Sequence, residues 1–289
     1  MILIALLASV LLESPSPKPS VNVSPANLIG KTIHRSTRRE SKTSDGYSED
    51  AFADTVSEVI TVAREGDGFS ISHRPDTIDP SKLTDMFGAM EAISFKYKAD
   101  FHFKALFLEN EDTYWDNLKE ITGAPISATV EIRKKITAAD LLNMLSQHDE
   151  VALPDLGELT VGSTVQRQEK LSEHHLIYIP VTASYTLERM ENGTSRIHRR
   201  AIATAEEVRI VEINHAQDIM RSSGVSIEDQ KTLMERVRSK PIDPGAAWIE
   251  DCTLIIDNLA GIPTEITCDV STGPFGPYKG SYSIQQKVQ

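Results

Sequence analysis

Cys252 and Cys268 are the chain's two cysteines, and their placement suggests a disulfide. They flank the loop-like stretch 257–263, which holds Asn258, Gly261 and Pro263. If the flanking segments run antiparallel about Ala260, Cys252 lies opposite Cys268, Leu254 opposite Ile266 and Ile256 opposite Thr264. That face is apolar, whereas the other carries Thr253, Asp257, Glu265, Thr267 and Asp269, with Ile255 as the exception. One register thus accounts for both the cysteine spacing and the alternation. An oxidising compartment would close the pair into a disulfide, for roughly 3 kcal/mol if unstrained. Two buried free thiols are the alternative.

The other reactive side chains form no catalytic motif. There is no His-Glu-x-x-His, and the cysteines are too far apart for a zinc knuckle, so no metal site is expected. His174 and His175 are adjacent, and on a strand they would point to opposite faces. His148, Asp149 and Glu150 cluster at the end of a helical pattern. No Gly-x-Ser-x-Gly elbow occurs, and Gly66-Asp67-Gly68 lacks the remaining glycine and the lysine of a phosphate loop. Asp100 and His102 could form a proton-transfer pair, but Lys96, Lys98 and Lys104 around them indicate a solvated surface. No cofactor is expected, and no catalytic residue is assigned. A hydrolase would have to assemble its site from distant positions, with His102, His148, His174 or His215 meeting a Ser or a carboxylate.

One stripe suggests a binding surface instead. Over residues 94–108, Phe95, Tyr97, Ala99, Phe101, Phe103, Ala105 and Phe107 share one face of a period-two pattern. Lys96, Lys98, Asp100, His102 and Lys104 share the other. This predicts one strand, wet on one side, in an antiparallel sheet. Phe95, Tyr97, Phe101, Phe103 and Phe107 are the candidate ligand-binding residues, lining a cavity for a lipid-like ligand. Packed against helices they would be core, the ordinary role for such a stripe.

The remaining elements position these groups. Gly66-Asp67-Gly68 predicts a hairpin between 56–62 and 69–71. Helices are expected over 81–92, 112–121 and 137–147, the last with Thr137 and Asp140 as a capping box and Leu141, Leu142 and Leu145 as its stripe. Strands are expected over 159–171 and 176–187, with Asn192-Gly193 turning the chain back. Residues 208–213 read as a further strand, and 226–238 as a helix capped by Ser226 and Asp229. The end reads as a meander of 247–256, 264–270 and 280–288. The fold class is α+β: a predominantly antiparallel sheet, capable of strong curvature, with a few packed helices.

The chain's 289 residues carry 42 acidic and 30 basic side chains, for a formal charge of −12. Such a field repels nucleic acid and favours solubility. Residues 2–12 are apolar except for Ser9, too short to span a bilayer but the right length for a signal-peptide core. Residues 13–49 are rich in Ser, Pro, Lys and Arg and poor in large apolar side chains. They read as a disordered linker dispensable for folding, with Arg35, Arg38 and Arg39 either solvated or touching a membrane surface or cell-wall polymer. The division expected is therefore 1–12 signal core, 13–49 linker and 50–289 antiparallel β-rich domain.

Leu153-Pro154, followed by Gly157-Glu158-Leu159-Thr160-Val161-Gly162-Ser163-Thr164-Val165, resembles a pattern in exported bacterial β-rich proteins of unknown function. Glu109-Asn110-Glu111, ahead of the helix carrying Trp115, is similar to the same pattern. The resemblance covers residues 50–288 loosely; it implies an extracytoplasmic (periplasmic or secreted) antiparallel protein and transfers no catalytic residue. The function expected is a non-enzymatic extracytoplasmic protein that binds an apolar, lipid-like ligand or an envelope partner. The alternative is the dispersed hydrolase, and a third reading is an interaction module with a filled core and an exposed edge strand.

Overall fold

The computed structural model describes residues 18–44, 49–77, 89–90, 92–123, 133–134, 136–146, 148–173, 177–222, 226–239, 241–242, 247–273 and 276–289. The expected signal core, the prolyl start of the linker and most of the helix expected over 81–92 lie outside them, as do His174 and His175 and the side chain of His215.

Most of the described chain is one antiparallel sheet. Its strands are β2 (Thr32–Ser44), β3 (Glu49–Glu65), β4 (Gly68–Pro75), β5 (Phe95–Ala99), β6 (Ala105–Leu108), β8 (Thr164–Glu173), β9 (Ile177–Glu191), β10 (Thr194–Ala203), β11 (Trp248–Asp257), β12 (Ile262–Gly273) and β13 (Gly276–Val288). A separate pair joins β1 (Ser20–Val23) to β7 (Gly157–Thr160). The large sheet has 11 strands in the order β6-β5-β4-β3-β2-β13-β12-β11-β10-β9-β8. Consecutive strands pair as neighbours within 32–108 and within 164–288, and β2 with β13 joins the two runs. The helices bounded within the described residues are α1 (Glu111–Thr122), α2 (Ala138–Ser146), α3 (Asp149–Ala152), α4 (Ala205–Ser222) and α5 (Ile227–Ser239).

Local chemistry explains most of these elements. Asn192 and Gly193 hold φ of 49° and 80°, the left-handed pair a two-residue hairpin requires. At Gly68 a Cβ would come 2.2 Å from the Ala99 carbonyl oxygen, so only glycine lets β4 approach β5 there. Thr137 and Asp140 form the expected capping box on α2, with Asp140 N donating to Thr137 Oγ1 at 3.1 Å and Thr137 N to Asp140 Oδ2 at 3.2 Å. Ser226 caps α5, accepting from Asp229 N at 3.2 Å.

Three expectations need correction. Residues 18–44 are not a linker, because β1 pairs with β7 and β2 lies at the middle of the sheet, between β3 and β13. The physical reason is that β2 buries Arg35 and Thr37 beside Ile33, and the Arg35 charge is answered inside by Asp149 and Glu58. Residues 94–108 are not one strand. Asp100 Oδ1 accepts from His102 N at 2.8 Å and Lys104 N at 2.9 Å, closing a turn in which Phe103 adopts φ 63°. Residues 208–213 are helical. Thr204 and Glu207 form a second capping box that starts α4, with Thr204 N donating to Glu207 Oε2 at 2.7 Å.

The sheet is curled. Eleven strands laid flat would separate its edges by about 48 Å. Instead Arg167 on the β8 edge donates to the carbonyl of His102, beside β6, at 3.4 Å. His102 Nδ1 is 3.4 Å from Asp155 Oδ2. Lys170 of β8 reaches Asn143 of α2, and its backbone N–H reaches Glu150 of α3. The segment carrying α2, α3 and β7 therefore bridges the seam between the edges. Val56, Thr37, Ile284, Ile266, Leu254, Ile197 and Leu187 face one another across the sheet on its inner side. Two apolar clusters cover this face. Val151, Ala152, Val21, Val23 and Leu159 belong to one, and Leu141, Leu142, Met144 and Leu153 to the other.

Candidate functional site: two buried ionic networks on the inner face

The inner face is not uniformly apolar. The register aligns Asp54, Arg39, Tyr282, Cys268, Cys252, Arg199 and Tyr185 in one row across successive strands. A parallel row runs Gln286, Arg35 and Glu58, with His73 and Tyr97 further along the same face. Each row contains an arginine sealed from water: Arg35 is 3% and Arg199 1% exposed.

Around Arg35, Nη1 donates to Asp149 Oδ1 at 2.6 Å and to Glu58 Oε1 at 3.3 Å, while Nε donates to Gln286 Oε1 at 3.2 Å. Tyr97 Oη donates to Asp149 Oδ2 at 2.5 Å. His73 stands between the two carboxylates. Its Nδ1 is 2.7 Å from Glu58 Oε2, and its Nε2 is 2.9 Å from Asp149 Oδ2, close enough to form an ion pair but poorly aligned for a hydrogen bond. Burial alone would push His73 down, but Asp149 and Glu58 outweigh it and raise its pKa to about 9. Burial would push Asp149 up, but His73 and Arg35 hold it well below the usual carboxylate range. His73 is therefore a fixed cation, not a base. Gln286 Nε2 completes the set by donating to the carbonyls of Ala152 and Pro263, at 2.9 and 3.0 Å. Strands β2, β4, β5 and β13 thus converge on one short helix, α3, that lies outside the sheet.

Around Arg199, Nη2 and Nε donate to Glu169 Oε2 at 2.8 and 3.1 Å, and Tyr185 Oη donates to Glu169 Oε1 at 2.5 Å. Nη1 is 3.4 Å from both Glu250 Oε1 and Cys252 Sγ. Tyr282 donates to Glu250. Burial and then the neighbouring carboxylates push both tyrosines up, so both stay protonated. Cys252 is bonded to Cys268, in the register expected as far as Leu254 opposite Ile266. Beyond it a bulge at Ile255 puts Pro263, rather than Thr264, opposite Ile256. Glu250, Cys252 and Cys268 place ligand atoms within 4.8 Å of one another, but the two sulfurs are spent in the disulfide.

The aromatic residues expected to form one binding stripe are separated. Phe95 and Tyr97 are buried core, and His73 stacks on Phe95 with centroids 4.3 Å apart. Phe103 folds back onto Phe69, at 4.0 Å. Phe101 and Phe107 are 66% and 55% exposed. The Asp100 turn breaks the strand, so the five do not line one surface. Of the histidines, exposed His102 meets Asp155, and His148 packs its ring against Tyr282. An open hollow of about 430 Å³ includes His34, Ser36, Ser57, Glu265, Gln285 and Lys287 in its wall; by the register these sit on the outer face.

Sequence reasoning found the disulfide but missed Glu58, His73, Glu169, Arg199 and Glu250. Arg35 was visible only as part of a basic tail. The signal that could have found it was the alternation Ile33, Arg35, Thr37, Arg39, which places these residues on one face of a strand.

No protein-family model and no curated protein matches the chain. Among solved structures it is similar to one described as "lipid-protein interactions in lipovitellin", with a TM-score of 0.39 and 9% identity over 90% of this chain and 25% of that one. It is also similar to Rv2717c from M. tuberculosis, with a TM-score of 0.25 and 9% identity over 92% and 99% of the two chains. The chain spans a quarter of lipovitellin's length, and neither likeness is close enough to carry a functional argument. What stands is a β-rich α+β protein, mostly sheet, with a bonded cysteine pair. Among the described residues no helix is long and apolar enough to cross a membrane.

Proposed function

We propose that the chain is a non-enzymatic extracytoplasmic protein that holds an apolar ligand in the curl of its sheet. The observation that carries this reading is the way the inner face is covered. That face is apolar over most of both clusters, and its cover includes short segments: α2, α3 and the two-stranded β1–β7 sheet. Short covering segments are the elements that can move without dismantling the sheet. The disulfide supports an oxidising compartment. The two ionic networks do not favour a hydrolase, because His73 is held as a cation between carboxylates.

The test is native mass spectrometry of the protein isolated from its own compartment. A non-covalent apolar molecule, released by organic solvent, is the expected result. Protein that carries nothing, and that binds no neutral apolar dye after purification, would defeat the proposal. A second reading, docking of a partner protein, is favoured by the β6 edge strand, where Leu106 and Phe107 are 53% and 55% exposed. It predicts an empty protein whose association with other chains is lost on Phe107→Lys.

A further inference from the structure

Among the described residues, Asp149 is the one side chain of the Arg35 network that the sheet does not supply. Arg35, Glu58, His73, Tyr97 and Gln286 all come from strands, whereas Asp149 opens the four-residue helix α3. Its carboxylate is read by both oxygens: Arg35 takes Oδ1, and Tyr97 and His73 take Oδ2. Counted as charges, Arg35 and His73 balance Glu58 and Asp149. Without Asp149 the strands alone would present a net single positive charge, with donors aimed inward, in the middle of an apolar face. Arg35 adds a second indication. It is almost fully buried, yet its Nη2 has no hydrogen-bond partner among the described residues. A buried unpaired donor is costly, and one kept in a folded chain calls for a functional explanation.

We infer that Arg35, His73 and Tyr97 form the head-group site for a monoanionic amphiphile, a long-chain carboxylate, and that Asp149 occupies this site in the ligand-free chain. This inference rests on the apolar-ligand reading above and adds the chemical class of the ligand. A carboxylate fits because the group now in place is one. The incoming head group takes the contacts of Asp149 and reaches the free Nη2, while its tail runs along the apolar inner face. Releasing Asp149 frees α3, so binding and displacement of the covering segment are one event. A neutral ligand of the same length gains the apolar contacts but cannot replace the anion, and leaves Asp149 in place.

The experiment compares oleate with oleyl alcohol, which share a tail and differ in charge, by displacement of the neutral dye N-phenyl-1-naphthylamine from the full-length protein. Oleate should compete about tenfold better than the alcohol, a coupling of ordinary size between charged groups. Asp149→Ala should widen that ratio, and Arg35→Gln should bring it close to one. Hydrogen exchange on the unmodified protein covers the case in which a variant fails to fold. Oleate should speed exchange across residues 149–152, and oleyl alcohol should not. Equal competition by the two probes, or unchanged exchange at 149–152 with oleate bound, overturns the head-group assignment while the apolar-ligand reading survives. If the dye itself does not bind, that reading fails and the assignment falls with it.

Discussion

A guanidinium buried in a sheet is tolerated only where carboxylates answer it, and removing one partner leaves a charge stranded at a cost of about 3–5 kcal/mol. Both buried arginines here follow that rule, and both sit in rows that the strand register makes contiguous. The pH response follows from His73. Its pKa is raised to about 9 in the folded chain from an ordinary 6.5, so folding takes up a proton between those values. That contribution is complete below about pH 6.5 and is lost as pH rises through about 9, for a total of roughly 3 kcal/mol. Urea titrations from pH 6 to pH 10 should show stability falling across that window, and His73→Gln should be weaker throughout but flatter. A flat wild-type profile would mean that His73 is not the charged centre of the network. The disulfide makes a separate residue-scale prediction. The bond spans a sequence separation of 16, and a loop of that size is worth about 3 kcal/mol. Cys252→Ser, or reduction under mild denaturant, should therefore lower the melting temperature by several degrees. Equal melting curves with and without reductant would show that the bond does not stabilise the meander.

At the scale of elements, the lesson of β2 is that a central strand need not look apolar. Its inward positions are Ile33, Arg35, Thr37 and Arg39, and its outward ones include His34, Ser36, Arg38 and Glu40. Composition alone makes this a soluble tail, because Asp149, the carboxylate that completes the Arg35 network, lies far away in sequence. The cysteine meander was legible for the opposite reason, since its partners are close in sequence and share one short loop. The helix at 205–222 was legible in principle from Thr204 and Glu207, but the β-branched residues Val208, Ile210, Val211 and Ile213 suit a strand equally well. The Asp100 turn was hidden because period-two alternation continues through it, with Phe103 packing back onto Phe69 from a left-handed backbone. Since β2 lies between β3 and β13, deleting residues 18–44 should abolish cooperative unfolding and not merely trim a tail. Circular dichroism melts of the shortened chain would check this. A sharp transition near the wild-type temperature would show that the remaining strands re-pair without β2.

At the scale of the whole molecule, the two runs of hairpins are built from neighbours in sequence, but the pairing of β2 with β13 joins residues 32–44 to 276–288. Those are the most distant strands of the large sheet in sequence and adjacent in space, so the curl can close only when the last strand arrives. Long-range pairing of this kind pays its loop-closure entropy before it is rewarded, which makes folding slow and exposes edges meanwhile. Without β13 the sheet becomes two pieces, β6 through β2 and β12 through β8, with β2 and β12 newly open as edges. Arg35 Nε loses its acceptor, Gln286 Oε1, and Glu250 loses the Tyr282 hydroxyl, so both buried networks are damaged by one cut. Open edges of long strands are templates for association. A chain ending at residue 275 should therefore elute as oligomers on size exclusion, and should bind thioflavin T more than the full-length protein does. Cutting back only the final residue, Gln289, should leave the elution of the full-length protein unchanged under the same conditions. A monomeric chain truncated at 275, with a single cooperative melt, would show that the two hairpin runs do not depend on the central pairing.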